Sequence, residues 1–401
     1  MKKNNMTTQI LKNWHSAKIK DFGRVATGKT PPTKNKEYYG NKYPFITPTD
    51  ITDGSIYAEP ERYLSEEGAS KVASSRLPKD AVCYTCIASV GKIAITKETS
   101  FSNQQINTVI ANPDVADYRY VFYLLRNITP QIKGMVGGAA SPIINKSAFE
   151  NIDIDIPDLP IQKQIADVLS TYDDLIENNS RRIQILEQIA QAIYTETFTT
   201  TTSKNIPLSE VIIIHRGKSY SGDELSETDG IPFVNLKCID RDGGFRKSGL
   251  KRFMGKYKDT HKVVAGDIVM AVTDMTQDRR IVARAARVPT LEGGFGVISM
   301  DLVKIEPKDG NDKDYIYSLL RWSGFSDEVK NHANGANVLH LIPDRITDYK
   351  THIALADQQK EFGKKAGPLL GLIDKLELQN ESLRQSRDLL LPKLVTGEIK
   401  I

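Results

Sequence analysis

The chain has 401 residues, of which 40% are hydrophobic, 26% charged and 7% aromatic. This length exceeds one ordinary domain, and the composition is typical of folded cores rather than of disordered or fibrous proteins. Three cysteines exclude a disulfide scaffold, and no apolar run approaches the roughly 20 residues of a membrane helix, so we expect a cytoplasmic protein. The balance of 54 basic against 50 acidic residues permits nucleic-acid binding but does not prove it.

Short segments with alternating apolar residues dominate the first domain-sized stretch and predict β-strands. An example is AVCYTCIASVGKIAI, which ends near Gly, Pro and Asp turns. Cys83 and Cys86 in this stretch form a lone CxxC sequence, whereas a zinc site needs about four ligands. Because residues three apart in a strand point to opposite faces, the two thiols should not converge. We predict ordinary packing for both cysteines and no metal site.

Residues 23–30 formally match the phosphate-binding loop of NTPases. Such a loop needs a helix that begins at its lysine, but Thr30 and Pro31 each precede a proline, which favours extended backbone there. Two interpretations stay open, a basic loop that approaches a DNA backbone and a plain surface turn. We do not expect ATP binding.

A long helix is predicted to close each half of the chain, because apolar residues recur every three or four positions over about five heptads. In the first helix these positions are Ile165, Val168, Tyr172, Leu175, Ile183, Leu186, Ile189 and Ile193. In the second helix they are Phe362, Ala366, Leu369, Ile373, Leu376, Leu383 and Leu390.

The start of the second helix is predicted to be weak. Three glycines lower its helix propensity, namely Gly363, Gly367 and Gly371. Pro368 predicts a kink or a late start near Leu369.

Each predicted helix carries one asparagine in its apolar stripe, Asn179 in the first and Asn380 in the second. One interpretation is that these are polar positions in an imperfect seam. The other is that a buried asparagine pair fixes the register and the pairing partner of the two helices, at some cost in stability.

The second half of the chain repeats the first. YPFI at 43–46 recurs as IPFV at 231–234, and YVFYLLR at 120–126 recurs as YIYSLLR at 315–321. Repeats in the same order indicate a duplicated unit. We therefore predict an α+β fold, in which two β-rich globular domains are separated by two long helices that form an antiparallel coiled coil, with an internal pseudo-twofold repeat.

The predicted boundaries follow from this repeat. The first domain covers residues 1–157, including a short basic N-terminal extension, and the second covers 206–353. The first helix covers 158–199, and the second helix with a C-terminal tail covers 355–401.

This order of elements resembles the DNA specificity subunit of type I restriction-modification enzymes. The similarity extends over nearly the whole chain from about Trp14. It is strongest in LPIQKQIADVLSTYDDLIENNSRRIQILEQIAQAIYTETF and in the closing LLLPKLVTGEIKI, while the globular domains match only in pattern, through GKTP, FITPTDI and FSNQQIN. The resemblance implies that each globular domain is a target recognition domain for one half of a bipartite DNA site. It also implies that the helices set the half-site spacing and carry two methyltransferase subunits.

The resemblance further implies a non-catalytic subunit. The sequence has neither the glycine-rich cofactor loop nor the Asn/Asp-Pro-Pro-aromatic motif of DNA methyltransferases. S-adenosylmethionine, ATP and Mg²⁺ are therefore expected only on partners, namely two modification subunits and the restriction/translocase subunits, which act on double-stranded DNA. One rival hypothesis is a bifunctional enzyme, for which catalytic motifs are missing. Another is a coiled-coil scaffold without sequence-specific DNA binding.

Side chains that contact DNA are predicted on loops where cationic or amide groups alternate with aromatic ones. Lys and Arg mostly neutralise phosphates, whereas Asn, Gln and some Arg read base edges. The candidates in the first domain are Lys29, Lys34, Lys36, Tyr38, Tyr39, Lys42, Lys92, Gln104 and Gln105. Those in the second domain are Lys218, Tyr220, Asn235, Lys237, Lys251, Arg252, Arg279 and Arg280.

Overall fold

A computed structural model describes residues 14–52, 54–136, 142–200 and 203–401. The chain divides into two compact units. The first contains the described residues up to 177 together with 382–401, and the second contains the described residues from 178 to 381. No described helix is both long enough and apolar enough to cross a membrane.

The first unit is rich in short strands. Its strands are β1 Trp14–Lys18, β2 Gly23–Thr27, β3 Tyr39–Gly40, β4 Tyr43–Ile46, β5 Tyr63–Leu64, β6 Val82–Thr85, β7 Ile93–Ile95, β8 Phe101–Ser102, β9 Ile106–Ala111 and β10 Asp153–Pro157. Its helices are α1 Glu66–Lys71, α2 Tyr118–Met135, α3 Lys146–Glu150 and the first part of α4 Leu159–Thr200.

Two four-stranded sheets and one ribbon organise these strands. The first sheet has the order β2-β9-β6-β7 and the second the order β3-β5-β4-β8, while β1 pairs with β10. Every pair is antiparallel except β4 with β8, which is parallel. Helix α2 packs on the first sheet, where its buried aromatic residues join the main core of the unit.

The two thiols of the CxxC sequence lie in different core clusters, which confirms that they do not converge. Cys83 packs with Ile46 and Ala94, whereas Cys86 packs with the cluster that contains Tyr84. Burial raises the pKa of the Cys83 thiol to about 12 and that of Cys86 to about 11. Both therefore remain neutral packing groups at physiological pH.

The second unit repeats this organisation. Its strands are β11 Ser203–Pro207, β12 Ile212–Arg216, β13 Leu225–Ser226, β14 Ile231–Val234, β15 Lys251–Phe253, β16 Lys262–Val263, β17 Ile268–Ala271, β18 Thr273–Asp274, β19 Ala285–Arg287, β20 Gly296–Ile298, β21 Leu302–Pro307, β22 Leu339–His340 and β23 Lys350–Ala354. Its helices are α5 Lys313–Trp322, α6 Phe325–Val329, α7 Asp344–Thr347 and most of α8 Ala356–Val395.

The strand order confirms the internal repeat predicted from the sequence. The sheet β12-β21-β17-β19 corresponds to β2-β9-β6-β7, and β13-β15-β14-β20 corresponds to β3-β5-β4-β8. Strands β14 and β20 again form the one parallel pair of their sheet. The second unit adds β16 to that sheet and has a ribbon of β18 and β22.

The two long helices pack against one another, as the coiled-coil pattern predicted. Within the first unit Asp173 of α4 contacts Arg387 of α8, and within the second unit Asn179 contacts Asn380. Because the residue number falls along α8 as it rises along α4, the helix segments run antiparallel within the second unit, where Tyr194 lies against Phe362.

The predicted late start of the second helix near Leu369 is wrong, while the kink at Pro368 stays a prediction. Helix α8 is continuous from Ala356, through Pro368, to Val395. Two of the three glycines have a packing role. A Cβ at Gly363 would lie 2.3 Å from a carboxylate oxygen of Asp312, which caps α5, and a Cβ at Gly367 would lie 2.7 Å from one of Asp314, whereas open space surrounds Gly371. Packing of the apolar face into the second core thus outweighs the low helix propensity of this segment.

The predicted stripe of α4 is partly wrong. Val168, Leu175 and Ile189 are exposed. The buried positions are Gln162, Ile165, Ala166, Leu169, Asp173, Ile176, Asn179, Ala190 and Tyr194. The buried face contains one charged residue, which interrupts the apolar pattern on which the prediction relied.

Candidate nucleic-acid interface

A loop and a turn meet at the same place in each unit. In the first unit the loop follows β2, and Gly28 donates its N–H to the carbonyl oxygen of Ile106 at 3.1 Å. A Cβ on Gly28 would lie 2.1 Å from the carbonyl oxygen of Asn103. Only glycine lets the loop come this close to the turn at residues 103–105 without displacing the backbone.

The second unit has the same arrangement after β12. Gly217 donates to the carbonyl oxygen of Leu302 at 3.2 Å, and a Cβ there would lie 2.0 Å from the carbonyl oxygen of Ser299. Lys218 bonds through its backbone to Ile298 and Met300. We name these two arrangements the first and second loop–turn pairs, formed by residues 28–30 with 103–105 and by residues 217–219 with 299–301.

The first loop–turn pair brings together three of the predicted DNA-binding residues. Lys29 is exposed and donates to the Ser74 hydroxyl at 3.0 Å. The Thr30 hydroxyl donates to the exposed Gln104 side chain at 2.6 Å. The side-chain carbonyl oxygen of Gln105 accepts from the Asn103 amide at 2.9 Å. Lysine and amide groups therefore share one small surface, and Thr30 is a member that the sequence did not single out.

The candidate residues that follow the first loop–turn pair in the chain, at positions 34–39, differ from one another in exposure. Lys34 and Lys36 are exposed, without a charged partner among the residues that the structure describes. The Tyr39 hydroxyl donates to the carbonyl oxygen of Pro31 at 3.1 Å. Tyr38 is buried in the domain, so we do not propose it as a DNA-contacting aromatic residue.

Two further lysines of the first domain have partners within the protein. Lys42 forms an exposed ion pair with Glu66, and the hydrogen bond to that carboxylate raises the pKa of Lys42. Lys92 donates to the carbonyl oxygen of Pro48 at 3.0 Å. DNA contacts by either lysine require exchange of these protein partners for phosphate oxygens.

Asn235 has its side-chain polar atoms inside the protein. It is buried, accepts from the backbone N–H of Lys237 at 3.0 Å and donates to the carbonyl oxygen of Gly249 at 2.7 Å. These bonds cap the turn after β14. We therefore do not propose Asn235 as a base-reading residue.

The other candidates of the second domain lie around three loops. Tyr220 packs its ring edge against Phe233, and Lys237 is exposed. Arg279 has a left-handed backbone conformation, with φ of 54°, and Arg280 donates to Asp242 at 3.1 Å. Lys251 is exposed, while Arg252 pairs with Glu292.

A basic segment borders the second loop–turn pair and was not singled out by the sequence prediction. Residues 237–262 contain nine lysines and arginines against three aspartates. Strand β16 at the end of the segment pairs with β20, which leads into the turn at residues 299–301. Burial, followed by the charges of Lys258 and Lys218, lowers the pKa of His261. A count of charges in short windows could have found this segment.

Two other features bear on the chemistry of the chain. No cluster of three or more His, Cys, Asp or Glu side chains suited to a metal ion occurs in the described part of the chain. Residues 23–27, the start of the apparent phosphate-binding motif, form strand β2, and the backbone after it leads to a short 3-10 turn at Lys36–Tyr38 rather than to a helix at Lys29. The segment thus lacks the helix N-terminus that binds phosphate in NTPases.

Comparisons with known proteins agree with this architecture. Residues 11–188 match the family model of the type I restriction modification DNA specificity domain. The type I restriction enzyme MjaIX specificity subunit of Methanocaldococcus jannaschii is 29% identical, with 98% of this chain and 95% of that protein aligned. The chain is similar, over nearly its full length, to a DNA specificity (S) subunit of type I restriction-modification systems.

Further relatives show the same likeness over nearly the full length of the chain. The MjaVIII specificity subunit of the same organism is 23% identical over 98% of this chain and 94% of the relative. The crystal structure of an S subunit from M. genitalium shares the fold, with a TM-score of 0.60, 16% identity and 96% of each chain covered. S subunits are non-catalytic and carry no cofactor, since cofactors belong to their partner subunits. This similarity favours DNA recognition over the scaffold hypothesis.

Proposed function

We propose that this S subunit recognises a bipartite DNA site, with one half-site for each globular domain. The domains in this proposal are about residues 14–157 and 206–353. The observation that carries it is the repetition of the loop–turn pair, in which a glycine, a lysine and a turn occupy equivalent positions in both domains. Two copies of one interface in one chain are suited to two separate DNA segments.

The two loop–turn pairs have different side chains, which supports different half-site sequences. Parallel pairing of Ile46 with Ser102 and of Val234 with Ile298 makes Gln104 equivalent to Met300. A glutamine presents an amide that pairs with adenine in the major groove, whereas an apolar side chain contacts the thymine methyl group. The two domains therefore differ in chemistry at the same position.

Cationic side chains supply the sequence-independent part of binding in this proposal. Lys29, Lys34 and Lys36 serve the first domain. Lys218 and the basic segment 237–262 serve the second, with Arg279 and Arg280 on the neighbouring loop. Such contacts neutralise phosphates and release counterions, so the affinity falls steeply as the salt concentration rises.

The helices complete the proposed assembly. We propose that α4 and α8 set the half-site spacing and carry two modification subunits, which the restriction/translocase subunits join. The 42 residues of α4 correspond to about 63 Å of helix at 1.5 Å per residue, or roughly 18 base-pair steps of 3.4 Å. This length is sufficient for two half-sites in separate major-groove segments.

Mapping of methylated bases tests the proposal. Genomic DNA is sequenced from cells that express this S subunit with its modification subunits and from cells that express the modification subunits alone. The expected result is a single motif with two specified parts and a constant number of unspecified bases between them, present only with the S subunit. A continuous motif, or methylation independent of the S subunit, would contradict the proposal.

A further inference from the structure

A buried ion pair joins the two long helices in the first unit. Arg387 of α8 donates to Asp173 of α4, and the Tyr123 hydroxyl donates to the second oxygen of Asp173 at 2.5 Å. The exposed fraction is 3% for Asp173, 2% for Arg387 and 1% for Tyr123. A buried pair of this kind contributes little net stability, because desolvation of both charges offsets their attraction.

The internal repeat shows what occupies the equivalent place in the second unit. Gln162 donates to the carbonyl oxygen of Pro157 and accepts from the N–H of Asp117. Gln359 makes the same two bonds, to Ala354 and from Asp312. Residue n of α4 therefore corresponds to residue n + 197 of α8.

Burial along the helices supports this correspondence. Position 165 matches 362, position 169 matches 366 and position 176 matches 373, and all six residues are buried. By the same rule Asp173 corresponds to Leu370 and Arg387 corresponds to Ala190. Both of these residues are buried and apolar. The second unit thus has an apolar pair where the first has an ion pair.

The asparagine pair follows the same rule. Asn179 donates to the Asn380 side chain at 3.0 Å, and both residues are buried. Their equivalents are Leu376 and Ile183, which are apolar. Two polar pairs therefore each break the symmetry of an otherwise duplicated helix pair.

This asymmetry affects which helices can pair. If two copies of α4 paired with the same geometry, Asp173 would face Ala190 and Asn179 would face Ile183. If two copies of α8 paired, Arg387 would face Leu370 and Asn380 would face Leu376. Each of these homotypic pairs buries a polar or charged group without its partner, which is strongly unfavourable. Only the pairing of α4 with α8 satisfies all four groups.

We infer that the Asp173–Arg387 and Asn179–Asn380 pairs select pairing of α4 with α8 and exclude pairing of like helices with a second copy of this chain. A duplicated protein needs such discrimination, because its two helices descend from the same pattern and present similar apolar stripes. The two polar pairs act by making the wrong pairing unfavourable. This inference is independent of DNA binding.

Refolding of the full chain tests the inference. The triple variant Tyr123→Phe, Asp173→Leu and Arg387→Ala gives the first unit the apolar pair of the second and leaves no lone hydroxyl. Wild type and variant are unfolded in denaturant and refolded over a range of concentrations, and light scattering after size exclusion measures the dimer fraction. We expect the wild type to refold as a monomer and the variant to give at least fivefold more dimer at micromolar concentration. Thermal unfolding of the variant should have an unchanged or higher midpoint.

Two further variants separate pairing specificity from stability. Arg387→Ala alone leaves Asp173 buried without a cation and should lower the midpoint by roughly 5–15 °C. The variant Asn179→Leu with Asn380→Ile keeps the ion pair and copies Leu376 and Ile183, so it should fold and roughly double the dimer fraction. If the triple variant fails to fold, this second variant decides the test. An unchanged dimer fraction in the folded variants would overturn the inference.

Discussion

The two globular domains share a strand order, but the segments that follow the equivalent strands β4 and β14 have opposite net charges. After β4, residues 48–73 contain six acidic and two basic residues. After β14, the equivalent residues 237–262 contain three acidic and nine basic residues. Strands β5 and β15 pair with β4 and β14 in the same antiparallel register despite this difference.

The fold constrains the buried strand residues and the glycines of the loop–turn pairs, whereas the segments between the strands differ in charge. Phe45 and Phe233 occupy equivalent buried strand positions, and Gly28 and Gly217 make equivalent close approaches. The segments between the strands do not carry these constraints. Under the proposed function, the second domain therefore supplies most of the salt-dependent attraction to phosphates, and the first domain relies more on the amide groups of its turn.

The largest expected effect comes from removal of charge in the second domain. The triple variant of Lys251, Lys256 and Lys258 to Gln should reduce the slope of log K against log salt by about 2.7, or 0.9 for each phosphate that is no longer neutralised. This corresponds to roughly a hundredfold weaker binding at 0.15 M salt for every DNA sequence. Fluorescence anisotropy on specific and random duplexes at several salt concentrations measures both quantities.

The matched control lies in the equivalent segment of the first domain. Arg62 and Lys71 lie over the rings of Phe45 and Tyr38, so their replacement by Gln should change the slope by less than about 0.9, the value for a single phosphate. Equal slopes for the two variants would show that the charge difference between the domains has no role in DNA binding.

The next effect distinguishes the two loop–turn pairs. A Cβ at Gly28 or Gly217 would lie about 2 Å from a backbone oxygen, so replacement by Ala should cost on the order of 1–3 kcal/mol of stability. It should also weaken recognition of only the half-site that the altered domain reads. Methylation assays with each half-site mutated in turn measure this, with Gly222→Ala as the control because open space surrounds it.

An effect of pH on stability is expected from Glu377, which lies on α8 within the second unit. Burial, followed by the charges of Asp374 and Glu187, raises the pKa of Glu377 to about 7. A raised carboxyl pKa means that the folded state binds the proton more tightly, so stability should fall as pH rises from about 4.5 to 7. Glu377→Gln should remove this fall and add on the order of 1–3 kcal/mol at pH 8.

Urea unfolding between pH 5 and 8 measures the effect of Glu377. The control is Asp388→Asn in the part of α8 that belongs to the first unit, where the carboxylate is half exposed and bonds Arg387 and Arg126. A variant of Glu377 with the pH dependence of the wild type would contradict this assignment.

The smallest expected effect is a change of spacing without a change of sequence preference. Four residues inserted near Asn179 and four near Asn380 lengthen both helices by about 6 Å and keep the apolar stripe approximately in phase. The methylated half-sites should move apart by one or two unspecified bases. Unchanged spacing in a folded insertion variant would show that the helices do not set it.

The sequence predicts elements better than it predicts the roles of single side chains. The helices follow from apolar spacing, which the cores of both units require, and the repeat follows from recurring segments such as YPFI and IPFV. The sequence analysis placed Leu175 in the buried stripe of α4, but Leu175 is exposed and Ile176 is buried. Each of the two residues belongs to an apolar stripe, and only the unexpected burial of Asp173 shows which stripe faces the core. Asn235 shows the same limit, since an asparagine that caps a turn and one that reads a base look alike in sequence.

Exchange of one domain tests directly whether each globular domain recognises one half-site. Residues of about 14–157 are replaced by the corresponding domain of another S subunit whose methylated site is known, and the methylated bases are mapped in cells with the same modification subunits. We expect one half of the motif to change to that of the donor, while the other half and the spacing stay the same. A motif altered in both halves, or in neither, would contradict recognition of one half-site by each domain.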